Sequence, residues 1–117
     1  PVLITARNSQ SALKRGADLG IDTQIAVGDK LASVQALCAQ HGIGLDQVAF
    51  MGDDLPDLAP IGAVGLAVAP ANAHPWIAER AHWQTRSEGG RGAARELCDV
   101  LLAAQGHVDA VLARFGA

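Results

Sequence analysis

The chain has 117 residues, half of them hydrophobic, a formal net charge of −3 and no basic cluster. That is one domain's worth of chain, and its charge argues against a nucleic-acid footprint and against a polybasic membrane patch. No apolar run approaches membrane-spanning length, and no basic n-region is followed by an apolar h-region, so a cytoplasmic protein without a signal peptide is expected.

With two Trp, two Phe and no Tyr, the core has to be built from Ala, Val, Leu and Ile, as in tightly packed α/β sheets. Val2-Leu3-Ile4-Thr5 reads as a buried strand with Ala6-Arg7-Asn8 as its exit loop. Chain termini usually lie at the surface, so a chain opening on a core strand is expected to be the C-terminal portion of something longer, with residues 1–117 forming a single domain. Ser9 is a plausible N-cap for a helix to Leu19, stopped by Gly20. Ile25-Ala26-Val27 reads as the second strand, closed by Gly28. Lys30 to His41 is helical, with Leu31, Val34, Leu37 and Cys38 on one stripe, and Gly42 ends it. Val48–Met51 is the third strand, buried on both faces, and a brief helix over Pro56–Ile61 follows.

Gly65–Val68 is a fourth strand, and Pro70–Pro75 a turn-rich loop before a helix over Trp76–Ala81. Trp83-Gln84-Thr85 is a last short strand, and Ser87–Gly92 a Gly-rich loop. Helical patterns then cover Ala93–Gln105 and, beyond Gly106, the segment marked by Val108, Val111, Leu112 and Phe115. Strands alternating with helices imply a three-layer, Rossmann-like, mostly parallel sheet with helices on both faces. Cys38 and Cys98 fall in helical patterns, and two buried free thiols in a reducing compartment are expected. His41, His74, His82 and His107 lack metal-ligand spacing.

The chemistry gathers at strand ends. Gly52 lets the chain turn out of the third strand, and Asp53, Asp54 and Asp57 follow in the loop where open α/β sheets place ligands. Three carboxylates this close repel one another unless a cation or donors meet them. Mg²⁺ suits them, a hard ion held by one or two protein carboxylates plus water and substrate phosphate. Asp53 is the first choice of ligand, with Asp54 as a second ligand or as an N-cap of the helix opened by Pro56. Thr5 ends the first strand and Lys30 follows the second. A hydroxyl, a lysine and a carboxylate cluster on adjacent strand ends make a phosphate-plus-metal site. Asp57 is expected to orient Lys30 or a metal-bound water. Ala6 and Arg7 follow Thr5, and Arg7 is a candidate for contact with a phosphate or sugar acid, with a solvated loop arginine as the equal alternative. Arg91, in the Gly89–Gly92 loop at a helix start, is a candidate for anion contact. Arg95 and Glu96 are expected to form an ion pair.

The order Thr5, Lys30, Gly52-Asp53-Asp54-x-x-Asp57 resembles the haloacid dehalogenase superfamily of phosphohydrolases. Ile4-Thr5-Ala6-Arg7, Asp18-Leu19-Gly20-Ile21, Gly52–Asp57, Val64–Val68, Ala73-His74-Pro75, Gly89–Glu96 and Leu101–Gly106 resemble the branch of 3-deoxy-D-manno-octulosonate 8-phosphate phosphatases, over nearly the whole chain. The resemblance implies an Mg²⁺-dependent phosphomonoesterase of lipopolysaccharide precursor synthesis. It acts on a small-molecule sugar phosphate through an aspartyl-phosphate intermediate and assembles as a homotetramer. It makes Thr5, Lys30 and Asp57 catalytic, Asp53 and Asp54 metal-holding, and Thr5, Ala6, Arg7 and Arg91 substrate-binding. The family's leading Asp-x-Asp strand is absent here, so 1–117 alone is expected to be inactive, and the Ile25–Lys30 segment is short for the family. The Gly-Arg-Glu block also occurs in the phosphatase-like domains of sialic-acid cytidylyltransferases. That role, and a non-catalytic module with a binding or assembly role, stand as alternatives.

Overall fold

The ends of the first two helices are set locally and match the sequence. The computed structural model describes residues 1–117. Helix α1 (Gln10–Leu19) begins where the Ser9 hydroxyl accepts the Ala12 amide, and it stops at Gly20, φ 67°. Helix α2 (Lys30–His41) begins where Asp29 accepts the Ala32 amide, and it stops at Gly42, φ 65°. Glycine carries no Cβ penalty in that left-handed region. The remaining helices are α3 (Leu58–Ala63), α4 (Pro75–Ala78), α5 (Ala93–Ala104) and α6 (Val108–Arg114). Short 3₁₀ turns cover Leu45–Gln47 and Leu55–Asp57. The brief helix expected over Pro56–Ile61 is therefore a 3₁₀ turn running into α3. Helix α4 is shorter than the Trp76–Ala81 expected.

The strands are β1 (Val2–Ile4), β2 (Asp22–Gln24), β3 (Ala49–Met51), β4 (Leu66–Ala69) and β5 (Trp83–Gln84). All ladders are parallel, joined through helices as parallel pairs require. They form two sheets, β1-β2 and β3-β4-β5. Val2 pairs with Asp22 and Ile4 with Gln24. Ala49 pairs with Leu66, Met51 with Val68, and Val68 with Trp83. β1 and β3 therefore each lack a neighbour on one side. That corrects the expectation that these two strands are buried on both faces: Leu3 and Ala49 are exposed and the other residues of both strands half-buried. β4 alone has strands on both sides, and Ala67, Val68 and Ala69 are fully buried.

The second strand is also displaced. Ile25–Val27 is irregular, and the ladder forms over Asp22-Thr23-Gln24 instead. Gly20 turns the chain at once and the Ile21 amide bonds back to the Gly16 carbonyl at 2.8 Å. The next three residues fall directly beside β1. A Cβ on Gly16 would collide with the Thr23 hydroxyl, which is how closely α1 sits on β2. The core lies between β4 and helices α2, α3 and α4: Val34, Cys38, Ile61, Val64, Ala67, Ala69 and Ile77 form one buried cluster. Cys38 is buried as expected, whereas Cys98 is exposed, because α5 buries only Ala93 and Leu97. No helix is long and apolar enough to cross a membrane.

Candidate active site

The loop leaving β1 is fastened from below. The Thr5 amide donates to the Gln24 carbonyl at 2.9 Å, extending the β1-β2 ladder. The Arg7 amide donates to Thr5 Oγ1 at 3.2 Å. Since that bond uses the hydroxyl as acceptor, its proton remains available to an incoming acceptor. Thr5 is half-buried, while Ala6 and Arg7 are exposed.

Lys30 is the first residue of α2, fixed by the Asp29 cap and by a Ser33–Gln24 side-chain hydrogen bond that ties α2 to the end of β2. Its ammonium lies 2.6 Å from Asp57 Oδ1, the two side chains being 12% and 6% exposed. The short Ile25–Lys30 segment thus still delivers Lys30 to the carboxylate loop. A cation at a helix N-terminus opposes the helix dipole, and Asp57 offsets that cost.

Asp57 does more than pair with Lys30. Its Oδ2 accepts the Asp53 amide at 2.9 Å and the Asp54 amide at 3.4 Å. One buried carboxylate therefore binds the lysine and shapes the loop that carries the other two. This folding back explains Gly52 better than a turn does. A Cβ there would overlap the Asp57 side chain, and Gly52 has no positive φ. Asp54 Oδ1 accepts the Leu55 amide at 2.8 Å and caps the 3₁₀ turn, the N-cap role that the sequence allowed for it. Asp53 is exposed, and its carboxylate accepts none of the hydrogen bonds that engage Asp54 and Asp57. Its carbonyl accepts the His74 amide at 2.8 Å, which ties it to the loop after β4.

These side chains meet at one cavity of about 390 Å³. It is lined by Thr5, Ala6 and Arg7 from the loop after β1, by Asp53, Asp54 and Asp57 from the loop after β3, and by Lys30 from the start of α2. Pro56 lines it too. The sequence marked that proline only as a helix opener and gave no signal for its place in the wall. Arg91 and Thr85 are not in the lining. Arg91 is exposed on its loop, and the buried Thr85 hydroxyl donates to the Ser87 carbonyl at 2.6 Å. Nor do Arg95 and Glu96 pair. Arg95 bonds Asp99 at 3.0 Å one helical turn on. Glu96 accepts the Arg86 and Ser87 amides, and these amides, Arg86's first, hold its carboxyl below the ordinary carboxylate value although burial pulls the other way. His82 Nδ1 accepts the Ala67 amide at 2.8 Å, a structural use.

The cavity brings together two cations and three carboxylates. The chain has no group of three or more His, Cys, Asp or Glu able to hold a metal by themselves. A free Asp53 carboxylate beside Asp54 nonetheless fits Mg²⁺, which takes one or two protein carboxylates and fills its shell with water and phosphate oxygen.

Residues 21–97 match the haloacid dehalogenase-like hydrolase family. The 3-deoxy-D-manno-octulosonate 8-phosphate phosphatase KdsC of Escherichia coli K12 is 45% identical over 109 residues, 92% of this chain and 57% of the relative. The chain thus spans a little over half the length of the curated relatives it matches. A hypothetical protein from Xanthomonas campestris superposes with a TM-score of 0.97 at 67% identity, over 99% of this chain and 64% of the other. The 3-deoxy-D-manno-octulosonate 8-phosphate phosphatase of Moraxella catarrhalis, solved with a magnesium ion, a phosphate ion and a KDO molecule, gives 0.93 at 35% identity, over 97% and 66%. The parallel strands and helices, the Thr5–Lys30–Asp53 cavity and these likenesses agree: the chain belongs to the haloacid dehalogenase-like hydrolases, among relatives that are 3-deoxy-D-manno-octulosonate 8-phosphate phosphatases.

Proposed function

We propose that this chain is the C-terminal portion of an Mg²⁺-dependent phosphomonoesterase that hydrolyses 3-deoxy-D-manno-octulosonate 8-phosphate in lipopolysaccharide precursor synthesis. The observation that carries the proposal is the convergence of Thr5, Lys30 and Asp53 on one cavity, where a hydroxyl, an ammonium and a carboxylate reach one phosphoryl group. The Thr5 hydroxyl donates to a phosphate oxygen. Lys30, held by Asp57, offsets the charge that phosphate and nucleophile share. Arg7, exposed and part of the cavity lining, meets the sugar acid. Asp53, with Asp54 beside it, holds Mg²⁺, which neutralises charge on the phosphoryl oxygens when bound.

The nucleophile is an aspartate from a segment outside residues 1–117. It attacks phosphorus in line while the second aspartate of that segment's Asp-x-Asp gives its proton to the departing sugar oxygen, and the same carboxylate then takes a proton from the water that hydrolyses the aspartyl phosphate. The place proposed for that segment is between β1 and β3, each unpaired on one side and each ending at the cavity. Exposed Val108, Leu112 and Phe115 on and just beyond α6 support assembly of the complete protein as a homotetramer, and the free thiols suit the cytoplasm. The test is turnover of the octulosonate phosphate by the natural-length protein with Mg²⁺, compared with sialic-acid phosphate and with no metal. Turnover of the former alone is expected. Tight binding without turnover would replace the enzyme with a binding module.

A further inference from the structure

Ala26 is the one non-glycine residue with a positive φ, at 54°. An L-residue is disfavoured there because its Cβ crowds the following carbonyl. The Ala26 side chain is exposed, so no packing demand holds it in that state. Nor does it close a helix, since α1 has already ended at Gly20 and α2 has not begun.

What the conformation achieves is visible in the hydrogen bonds. The Ala26 amide donates to the Arg7 carbonyl at 2.9 Å, and the Val27 amide donates to the Thr5 carbonyl at 3.0 Å. In an extended strand successive amides point to opposite sides. A left-handed residue turns successive amides toward the same side. With Ala26 left-handed, both reach one loop, and β2 can leave the sheet while still gripping the loop of its neighbour. The expected strand at Ile25–Val27 is lost for this reason.

We propose that Ala26 is a positioning residue. Its left-handed backbone clamps the Thr5–Arg7 loop from beneath and so sets the Thr5 hydroxyl at the phosphate cavity. The kinetic consequence rests on the phosphatase reading, whereas the clamp itself does not.

The test uses four substitutions in the natural-length protein. Ala26→Gly and Ala26→Asn tolerate a positive φ, whereas Ala26→Val and Ala26→Leu do not. Their side chains point to solvent, so none disturbs the core. Competitive inhibition by inorganic phosphate and hydrogen exchange of the amides at 26 and 27 are measured in each. Ala26→Val and Ala26→Leu should weaken phosphate inhibition about tenfold or more, as loss of positioning does, raise KM more than they lower kcat, and expose both amides to exchange. Ala26→Asn and Ala26→Gly should resemble the parent. Phosphate inhibition unchanged in whichever of the Val and Leu variants folds would overturn the proposal, whatever happens to thermal stability. A parent protein with no phosphate affinity would sink the phosphatase reading instead. Ala26 is then judged by exchange alone: protection kept in Ala26→Val or Ala26→Leu refutes the clamp, and protection lost there but kept in Ala26→Asn upholds it.

Discussion

At the scale of single residues, the division of labour among the three carboxylates decides what each substitution does. Asp57 is spent on Lys30 and two backbone amides and Asp54 on a cap. The Asp53 carboxylate takes no part in these bonds, and on the proposed reading it meets the cation. Asp53→Asn keeps the shape and removes the charge a hard cation requires. Mg²⁺ affinity should fall by at least the roughly 10–100-fold typical of losing an outer-shell partner, with activity abolished in the natural-length protein. Calorimetric Mg²⁺ titration decides, and unchanged affinity would move the ligand role to Asp54. Glu96 makes a pH prediction. Its carboxyl is held low, first by the Arg86 amide. Its folded value thus lies below its unfolded one, and its stabilisation is present above the unfolded value and lost as pH falls through the folded one. Glu96→Gln should lower the urea midpoint at neutral pH, with the two curves converging in acid. Curves that stay parallel would count against it.

At the scale of elements, helix α2 is the lever that carries Lys30. Its first turn is set by the Asp29 cap, and removing such a cap costs about 1 kcal/mol. Asp29→Ala should cost that much in urea unfolding and should also weaken phosphate inhibition, because Lys30 is the next residue. A stability loss with phosphate inhibition untouched would show that Asp57, not the helix, holds the lysine. The cap at Ser9 and the stops at Gly20 and Gly42 were legible because each is a local backbone requirement, whereas the Asp29 cap came from the structure. β2 was not legible. Asp22-Thr23-Gln24 carries no apolar run, and only pairing with β1 makes it a strand.

At the scale of the whole molecule, surface is in excess. A compact 12.0 kDa monomer exposes roughly 6,000 Å², and this chain exposes 7673 Å². The radius of gyration is 14.6 Å, against about 13.4 Å for a compact chain of this length. The unpaired sides of β1 and β3, and the apolar face of α6, are where strand addition and apolar contact act. Residues 1–117 alone should therefore self-associate with rising concentration in sedimentation experiments. They should also show no turnover with excess Mg²⁺. A soluble monomer across that range would mean that the chain covers its own edges.

The sequence by itself determined the limits of α1 and α2, the parallel α/β class and the grouping of Thr5, Lys30 and the Asp53, Asp54 and Asp57 carboxylates at strand ends, because residue type and strand-end position specify these locally. Only the tertiary structure decided the rest. Arg91 and Thr85 stand outside the cavity, since their loop spends its polar groups on itself, on Asn72 and on Glu96. Gly52 is small because Asp57 folds across it, a contact between residues five apart that no turn rule encodes. Ala26 took a left-handed conformation with nothing in its residue type to announce it. The requirement comes from a loop nineteen or more residues earlier, whose carbonyls need two successive amides facing the same way.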